Sequence, residues 1–327
     1  MTVGIDLATR AELVKLARAL GTTTEGVAFA AVLPHEDIRR VRERVVATLY
    51  DEHRGAFQRV AAITRVLPTA VNVRIALRAF SPLLAARVAG EMPAGRAAEL
   101  ADRMPVDYLA EACVHLDPRR AAPLIQRIRP DRVLAVVNEL IDRGEFITLG
   151  RLLDAATEGV VHDVATTVST EALLRIGFYA ESGTQLTRAV ALLPPSRLRR
   201  VVSDALTGPP ELASAGLALI GRLTDDELRG RLASYAAESD AETLIALLHT
   251  AIENDALPAL LTAVAAMDVE GQRRVLRLPA LSSPDMIDHL ILAVKKHDLW
   301  STLAGLTDHM TGELRQRFIT ACQTRPN

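Results

Sequence analysis

Apolar residues recur with a period of twelve between residues 69 and 140, and this repeat is the strongest pattern in the sequence. Each of its six blocks ends in a large apolar residue: Phe80, Met92, Met104, Leu116, Ile128 or Leu140. Positions five, eight and nine of every block are apolar as well. This spacing follows one face of a helix with about 3.6 residues per turn. Each block therefore predicts one short helix.

Prolines near the start of the blocks predict where these helices begin. Five of the six blocks carry one: Pro82, Pro93, Pro105, Pro118 and Pro130. A helix accepts proline in its first turn, and the residue before a proline avoids helical backbone angles, so the previous helix ends there. Ser81 and Asp117 are suitable N-caps. Because a helix of about nine residues is unstable by itself, these helices are expected to stack in a row, as in a solenoid.

The block boundaries also resemble a known family. The sequences Met92-Pro93, Met104-Pro105 and Leu116-Asp117-Pro118 are similar to repeats in the cytoplasmic N-terminal domain of MgtE-type magnesium transporters and in the flagellar motor switch protein FliG. The resemblance covers residues 81–140 and implies a superhelix of short helices. The expected fold class is therefore all-α, a right-handed α-solenoid. No ion-binding acidic residue of that family has a matching position here, so the resemblance implies no metal site.

After residue 140 the repeat lengthens into helix pairs similar to HEAT repeats. Its short blocks are anchored at Ala156, Leu193, Met267 and Met310, and Leu223 marks a further step. A small or polar turn precedes each pair: Arg143-Gly144, Ser182-Gly183, Asn254-Asp255 and His297-Asp298. We therefore divide the chain into an N-terminal helical cap (residues 1–68), the twelve-residue repeats (69–140) and the helix-pair repeats (141–327), which together form one continuous superhelix.

Three helices are predicted in the first 50 residues. The first runs from Thr9 to Leu20, and Thr22 with Glu25 predicts a capping box that opens a short apolar helix to Leu33. The third begins at Pro34. Its predicted buried face consists of Ile38, Val41, Val45 and Leu49, and its predicted outer face of Arg39, Arg40, Arg42 and Arg44.

Composition narrows the class of protein. Apolar residues make up 49% of the chain and aromatic residues 3%, so the core is built mainly from alanine, leucine and valine. A net charge of −2 argues against extensive nucleic-acid binding. No apolar run approaches the roughly 20 residues of a membrane span, and a cytoplasmic location is expected. Cys113 and Cys322 lie on apolar helix stripes and are expected to be buried free thiols.

We find no motif that predicts a catalytic residue, a cofactor site or a metal site. The eight histidines are scattered, and His289 and His297 are too far apart in sequence for a metal clamp on one helix face. Thr224 to Glu227 is interpreted as an N-cap with an acidic first turn. The chain is therefore predicted not to be an enzyme.

The remaining candidates are partner-binding residues. Arginines recur just before the apolar pairs of the later blocks, and stacking would align them into a basic stripe. Inter-repeat ion pairs on a solvent-exposed face are the interpretation that we favour. The candidates are Arg199, Arg200, Arg273, Arg274, Arg317 and Trp300, of which Trp300 could also belong to the core. Three functions remain open: a scaffold that holds a protein on the concave face, a carrier of an apolar small molecule, and a nucleic-acid-binding solenoid. The oligomeric state is not predicted.

Overall fold

The computed structural model describes residues 5–310 and 312–323, and every regular element in these ranges is a helix. The predicted all-α helical repeat fold is confirmed, and the right hand of the superhelix stays a prediction. The side chain of Cys322 lies outside the described residues. Packing divides the chain into one unit of Ala11–Gln185 and a second unit of Met1–Arg10 with Leu186–Asn327. The predicted division at residues 68 and 140 follows the repeat length and stays a prediction.

Twelve α-helices begin in or before the unit Ala11–Gln185 and lie wholly or mainly within it. They are α1 (Leu7–Leu20), α2 (His35–Asp51), α3 (Arg54–Ile63), α4 (Thr69–Ala79), α5 (Pro82–Ala89), α6 (Ala94–Ala101), α7 (Val106–Val114), α8 (Pro118–Ile125), α9 (Pro130–Asp142), α10 (Phe146–Leu152), α11 (Glu158–Thr167) and α12 (Thr170–Tyr179). Short 3-10 helices span Glu25–Val32 and Leu153–Ala155.

From α3 to α10, each helix packs against the helix two places further along the chain. One row consists of α3, α5, α7, α9 and α11, and the other of α4, α6, α8, α10 and α12. The helices α4 to α9 each begin within one twelve-residue block, so the prediction of one helix per block is confirmed. The predicted caps are confirmed too: Ser81 accepts from the Leu84 N–H and Asp117 from the Arg119 N–H. The packing repeat is therefore two blocks, one for each row.

Small side chains allow the helices of a row to lie close together. Position six of three consecutive blocks is a fully buried alanine: Ala86, Ala98 and Ala110. Where α10 crosses α12, a Cβ atom on Gly150 would lie only 2.6 Å from the Tyr179 carbonyl carbon. Small residues at the contacts are the physical reason for the scarcity of aromatic residues in the core.

Position four of five of the six blocks carries a polar side chain that donates to carbonyl groups at the end of an earlier helix; in the second block it is Leu84. The donors are Asn72, Arg96, Tyr108, Arg120 and Arg132. For example, Arg96 Nη2 donates to the Leu67 carbonyl at 2.6 Å, and Tyr108 Oη to the Phe80 carbonyl at 3.1 Å. The last carbonyl groups of a helix accept no hydrogen bond from within the helix. These side chains supply the missing donors.

The other unit contains the remaining helices. They are α13 (Gly183–Ala191, which begins before the boundary), α14 (Pro195–Thr207), α15 (Pro210–Arg222), α16 (Asp226–Ala236), α17 (Ala241–Glu253), α18 (Leu257–Ala265), α19 (Val269–Leu276), α20 (Pro284–His297), α21 (Trp300–Leu306) and α22 (Gly312–Gln323), with 3-10 helices at Pro279–Ser282 and Thr307–His309. Of the predicted anchors, Leu193, Leu223, Met267 and Met310 are buried.

The turns predicted to open the helix pairs are confirmed, and three of them share one backbone geometry. Gly144, Asp255 and Asp298 have φ angles of 71°, 51° and 51°. In each turn the next N–H bonds to a carbonyl five residues earlier, at 2.8, 2.7 and 3.0 Å respectively. This is the Schellman helix end, in which a left-handed residue stops the helix and pairs its last carbonyls.

Two predictions for the N-terminal segment are wrong. The short apolar helix after Leu20 is present as the 3-10 helix Glu25–Val32, but the predicted capping box of Thr22 and Glu25 is wrong. The N-cap is Thr24, which makes no side-chain capping bond. In α2 the predicted faces are wrong at three positions, because Val41 and Leu49 are exposed and Arg42 is buried. Ile38 is buried, and Arg40 and Arg44 are exposed, as predicted. Arg42 lies inside because distant carboxylates meet it there.

Candidate functional site

The predicted partner-binding residues are distributed over several helices and differ in how strongly they are engaged. Arg199 pairs with Glu238, and its guanidinium carbon lies 4.1 Å above the centre of the Tyr235 ring. Arg274 Nη1 donates to the Ala237 carbonyl at 3.4 Å. Arg200 and Arg273 are exposed, and Arg317 and Trp300 are half-buried. Arg199 and Arg274 therefore contribute to tertiary contacts, and a role of these six residues in partner binding stays a prediction.

Groups that could carry chemistry are dispersed over the described part of the chain. Within it, no three His, Cys, Asp or Glu side chains lie close enough to hold a metal ion. His289 is exposed, and its Nδ1 lies 2.7 Å from the Asp285 carbonyl of its own helix. Asp225 caps α16 by accepting from the Leu228 N–H at 3.0 Å. Burial raises the pKa of Cys113 to about 12, which makes this thiol a poor nucleophile at neutral pH.

One buried ionic cluster stands out, in the unit Ala11–Gln185. We define the Glu181 cluster as Glu12 and Lys15 of α1, Arg39 and Arg42 of α2, Arg151 of α10, and Glu181 after α12. Only 3% of Arg42 and 2% of Lys15 is exposed. Burying a charge is costly unless a partner neutralises it. The contacts with Glu12 and Glu181 therefore explain why Arg42 can be buried.

Glu12 links α1 to α2 within the cluster. One of its carboxylate oxygens accepts from Lys15 Nζ at 2.7 Å and the other from Arg42 Nε at 3.0 Å. Burial acts to raise the pKa of Glu12, but Lys15 and Arg42 outweigh this effect and lower it. Burial lowers the pKa of Lys15 to about 8, although Glu12 and Glu181 oppose the change. Lys15 therefore loses its proton, and with it its charge, at a lower pH than an exposed lysine does.

Glu181 receives four cations. Its carboxylate oxygens lie 2.8 Å from Arg42 Nη2, 3.5 Å from Arg39 Nη2, 3.9 Å from Arg151 Nε and 4.0 Å from Lys15 Nζ. Arg39 also donates to the Glu181 carbonyl at 2.9 Å. Burial, followed by repulsion from Arg42, lowers the pKa of the Arg151 guanidinium. The turn between α12 and α13 is therefore tied to α2 by charge.

A second polar contact involves Tyr50, which is buried at the C-terminal end of α2. The guanidinium carbons of Arg87 and Arg120 lie 4.7 and 4.5 Å from the centre of the Tyr50 ring. Tyr50 Oη donates to the Arg87 carbonyl at 3.1 Å, and burial raises the Tyr50 pKa to about 12. The tyrosine is therefore a neutral donor fixed between two cations, and it packs α2 onto α5 and α8.

Exposed apolar side chains are concentrated near the start of the described chain. Of sixteen large apolar side chains exposed in the described ranges, twelve lie between residues 20 and 83, and residues 84–268 contain none. We call the following twelve the 20–83 apolar surface: Leu20, Phe29, Val32, Leu33, Val41, Leu49, Ile63, Val66, Val71, Ile75, Leu77 and Leu83. Because scattered single apolar residues are normal on a surface, the concentration in one segment is the informative feature.

Within the twelve-residue blocks, the exposed large apolar side chains are confined to the first block and to Leu83 of the second. Val71 and Ile75 occupy positions three and seven of the first block, one turn apart on the same face of α4. In the fourth block the same positions are Asp107 and Glu111, and both are exposed. At these two positions the exposed face is therefore apolar in α4 and acidic in α7.

Two further findings concern the whole described chain. None of its helices combines the length and the apolar character that crossing a bilayer requires. Comparisons with protein-family models, with curated proteins and with solved structures found no match to this chain.

Proposed function

We propose that this protein is a non-enzymatic, protein-binding helical repeat protein whose partner docks on the 20–83 apolar surface. The observation that carries the proposal is the contrast in exposure: twelve large apolar side chains are exposed in residues 20–83, against none in residues 84–268. A protein–protein interface is the usual reason for a soluble helical domain to keep such side chains exposed.

The packing of the rows supports a helical partner. Inner helices such as α5 and α6 have a major contact on both sides, whereas α3 packs mainly against α5 and α4 mainly against α6. Val71 and Ile75 are exposed on α4, beside the face that buries Asn72 and Ala76. An apolar helix of the partner could pack there as a further member of the row.

The test uses the repeat as its own control. The partner is captured from cell extract with the purified chain, identified by mass spectrometry, purified, and titrated by calorimetry. Val71→Asn combined with Ile75→Asn should weaken the affinity at least about tenfold, because the substitutions remove apolar contact area from the centre of the interface. Asp107→Asn combined with Glu111→Asn, at the same block positions, should leave it unchanged.

Since all four positions are exposed, both double variants should keep the wild-type circular dichroism spectrum and thermal midpoint. Equal affinities of the two double variants would refute the proposal that the partner docks on α4. The predicted cytoplasmic location, the small-molecule carrier and the nucleic-acid-binding alternative rest on the sequence alone.

A further inference from the structure

The Glu181 cluster carries more positive than negative charge. Its four cations, Lys15, Arg39, Arg42 and Arg151, face two carboxylates, so two positive charges are in excess. Glu43 pairs with Arg39, but on the exposed side of the guanidinium, where water screens the pair. Arginine does not deprotonate in proteins, so Arg42 and Arg151 keep their charge, and Lys15, with a pKa of about 8, is mainly protonated at neutral pH.

Three buried polar atoms of the cluster are unsatisfied and close together. Arg42 Nη2, Arg151 Nε and Glu181 Oε1 make no hydrogen bond within the described part of the chain. The two nitrogens lie 2.8 and 3.9 Å from this oxygen, but neither contact is aligned as a hydrogen bond. Buried polar atoms are almost always hydrogen-bonded, so three such atoms around one point indicate a place where a polar group binds.

Other charges near Arg151 are already engaged. Arg18 pairs with Glu145 at 2.5 Å, and Asp117 accepts two hydrogen bonds from Arg119 Nε at 3.0 Å. Asp117 and Arg18 act on Arg151 with opposite signs. Side-chain exposure of 17% at Arg151 and 36% at Arg39 leaves the cluster reachable from solvent.

We propose that the Glu181 cluster binds inorganic phosphate, with Arg151 and Arg42 Nη2 as donors to the anion and Glu181 Oε1 as acceptor from its hydroxyl group. A guanidinium is planar, and its N–H groups match two phosphate oxygens at once. The dianion balances the two excess positive charges. The carboxylate adds selectivity, because it needs an anion that still carries a proton.

Selectivity is the strongest test of this assignment. At about pH 7.5 inorganic phosphate is mainly the monohydrogen dianion and Lys15 is mainly protonated, whereas sulfate and most of the glycerol phosphate carry no proton on the anionic group. Thermal unfolding of the full chain is measured in low-millimolar phosphate, sulfate, glycerol phosphate or chloride at equal ionic strength. Phosphate should raise the midpoint by about 2–4 °C over chloride, and sulfate and glycerol phosphate should not.

Equal stabilisation by phosphate and sulfate would overturn the role of Glu181, and no phosphate effect would overturn the site. A larger effect of glycerol phosphate than of inorganic phosphate would contradict the assignment to the free ion. Glu181→Gln is the informative variant, because an amide can donate to sulfate. The variant should respond to sulfate as well as to phosphate.

Arg151→Met separates anion binding from a purely structural ion pair. In chloride its midpoint should equal or exceed that of the wild type, because the substitution removes an uncompensated charge. In phosphate the wild-type increase should be lost. Arg231→Met, at an exposed arginine paired with Glu227 at 3.0 Å, should keep the full phosphate response. A variant destabilised in chloride, with its phosphate response intact, would show that Arg151 only supports the fold.

Discussion

Residues 20–83 and residues 84–268 are built from helices of similar length, but they use apolar side chains in opposite ways. The second stretch has no exposed large apolar residue, whereas the first exposes twelve and buries Arg42 instead. In the second stretch α6 to α10 each contact the helix two places before and the helix two places after. At the start of the rows one side is left open, and charge contributes to holding α2 in place.

This difference shows that the face of a helix that is buried depends on what lies opposite. In α2 the apolar residues Val41 and Leu49 are exposed, while Arg42 is paired with Glu12 and Glu181. A buried arginine is stable only when its charge is matched. Residues 20–83 therefore contribute buried arginine to the Glu181 cluster and also carry the 20–83 apolar surface.

The largest effect on stability is expected from a substitution that breaks the Glu181 cluster. Arg42→Met should lower the free energy of unfolding by about 3–5 kcal/mol, because it leaves Glu12 and Glu181 buried with less compensation. Arg40→Met, two residues earlier in α2 and 76% exposed at its side chain, should change it little. Urea unfolding followed by circular dichroism measures both. Similar losses in the two variants would mean that charge does not anchor α2.

A slightly smaller effect on the free energy of unfolding is expected when a leucine is replaced by alanine, and the two regions should differ in it. Leu140 is 1% exposed and Leu49 is 52% exposed. Leu140→Ala should cost about 2–5 kcal/mol of unfolding free energy through lost burial and the cavity left behind. Leu49→Ala should cost less than about 1 kcal/mol. If Leu49→Ala proved as costly as Leu140→Ala, Leu49 would be part of the core and not of a free surface.

The smallest of the three effects concerns pH. The folded-state pKa of Lys15 is about 8, below the unfolded value near 10.5. Between these values the unfolded chain binds more protons, so the free energy of unfolding contributed by Lys15 rises with pH, by at most about 3 kcal/mol. Below about pH 8 both states are protonated and this contribution is constant.

Lys15→Met removes the titrating group, so subtracting its unfolding free energy from that of the wild type at each pH isolates the effect of Lys15. The difference should grow in favour of the wild type between about pH 8 and pH 10.5. A difference that is constant over this range would show that Lys15 has an ordinary pKa in the folded protein.

Much of the fold could be predicted because the signals are local. The period of twelve and the prolines located α4 to α9, and Ser81 and Asp117 cap their helices as expected. The turns at Gly144, Asp255 and Asp298 were predicted from small and polar residues alone. These features depend on the backbone preferences of a few neighbouring residues.

The candidate sites were largely missed. Glu181 was not singled out, since a glutamate in a short turn resembles any solvated residue. Val71 and Ile75 gave a signal that could have been found, because comparison of equivalent block positions shows apolar residues where the fourth block has Asp107 and Glu111. The role of the arginines at position four could not be predicted, because the carbonyl groups to which they donate belong to other helices.

The sequence by itself determined that this protein consists of short helices, where most of them begin, and which turns separate them, because propensity, proline and capping act over a few residues. Only the tertiary structure decided which side of α2 is buried and which charges meet around Glu181. Those outcomes depend on electrostatic energies between groups far apart in the chain, and such energies become large only when folding removes the groups from water.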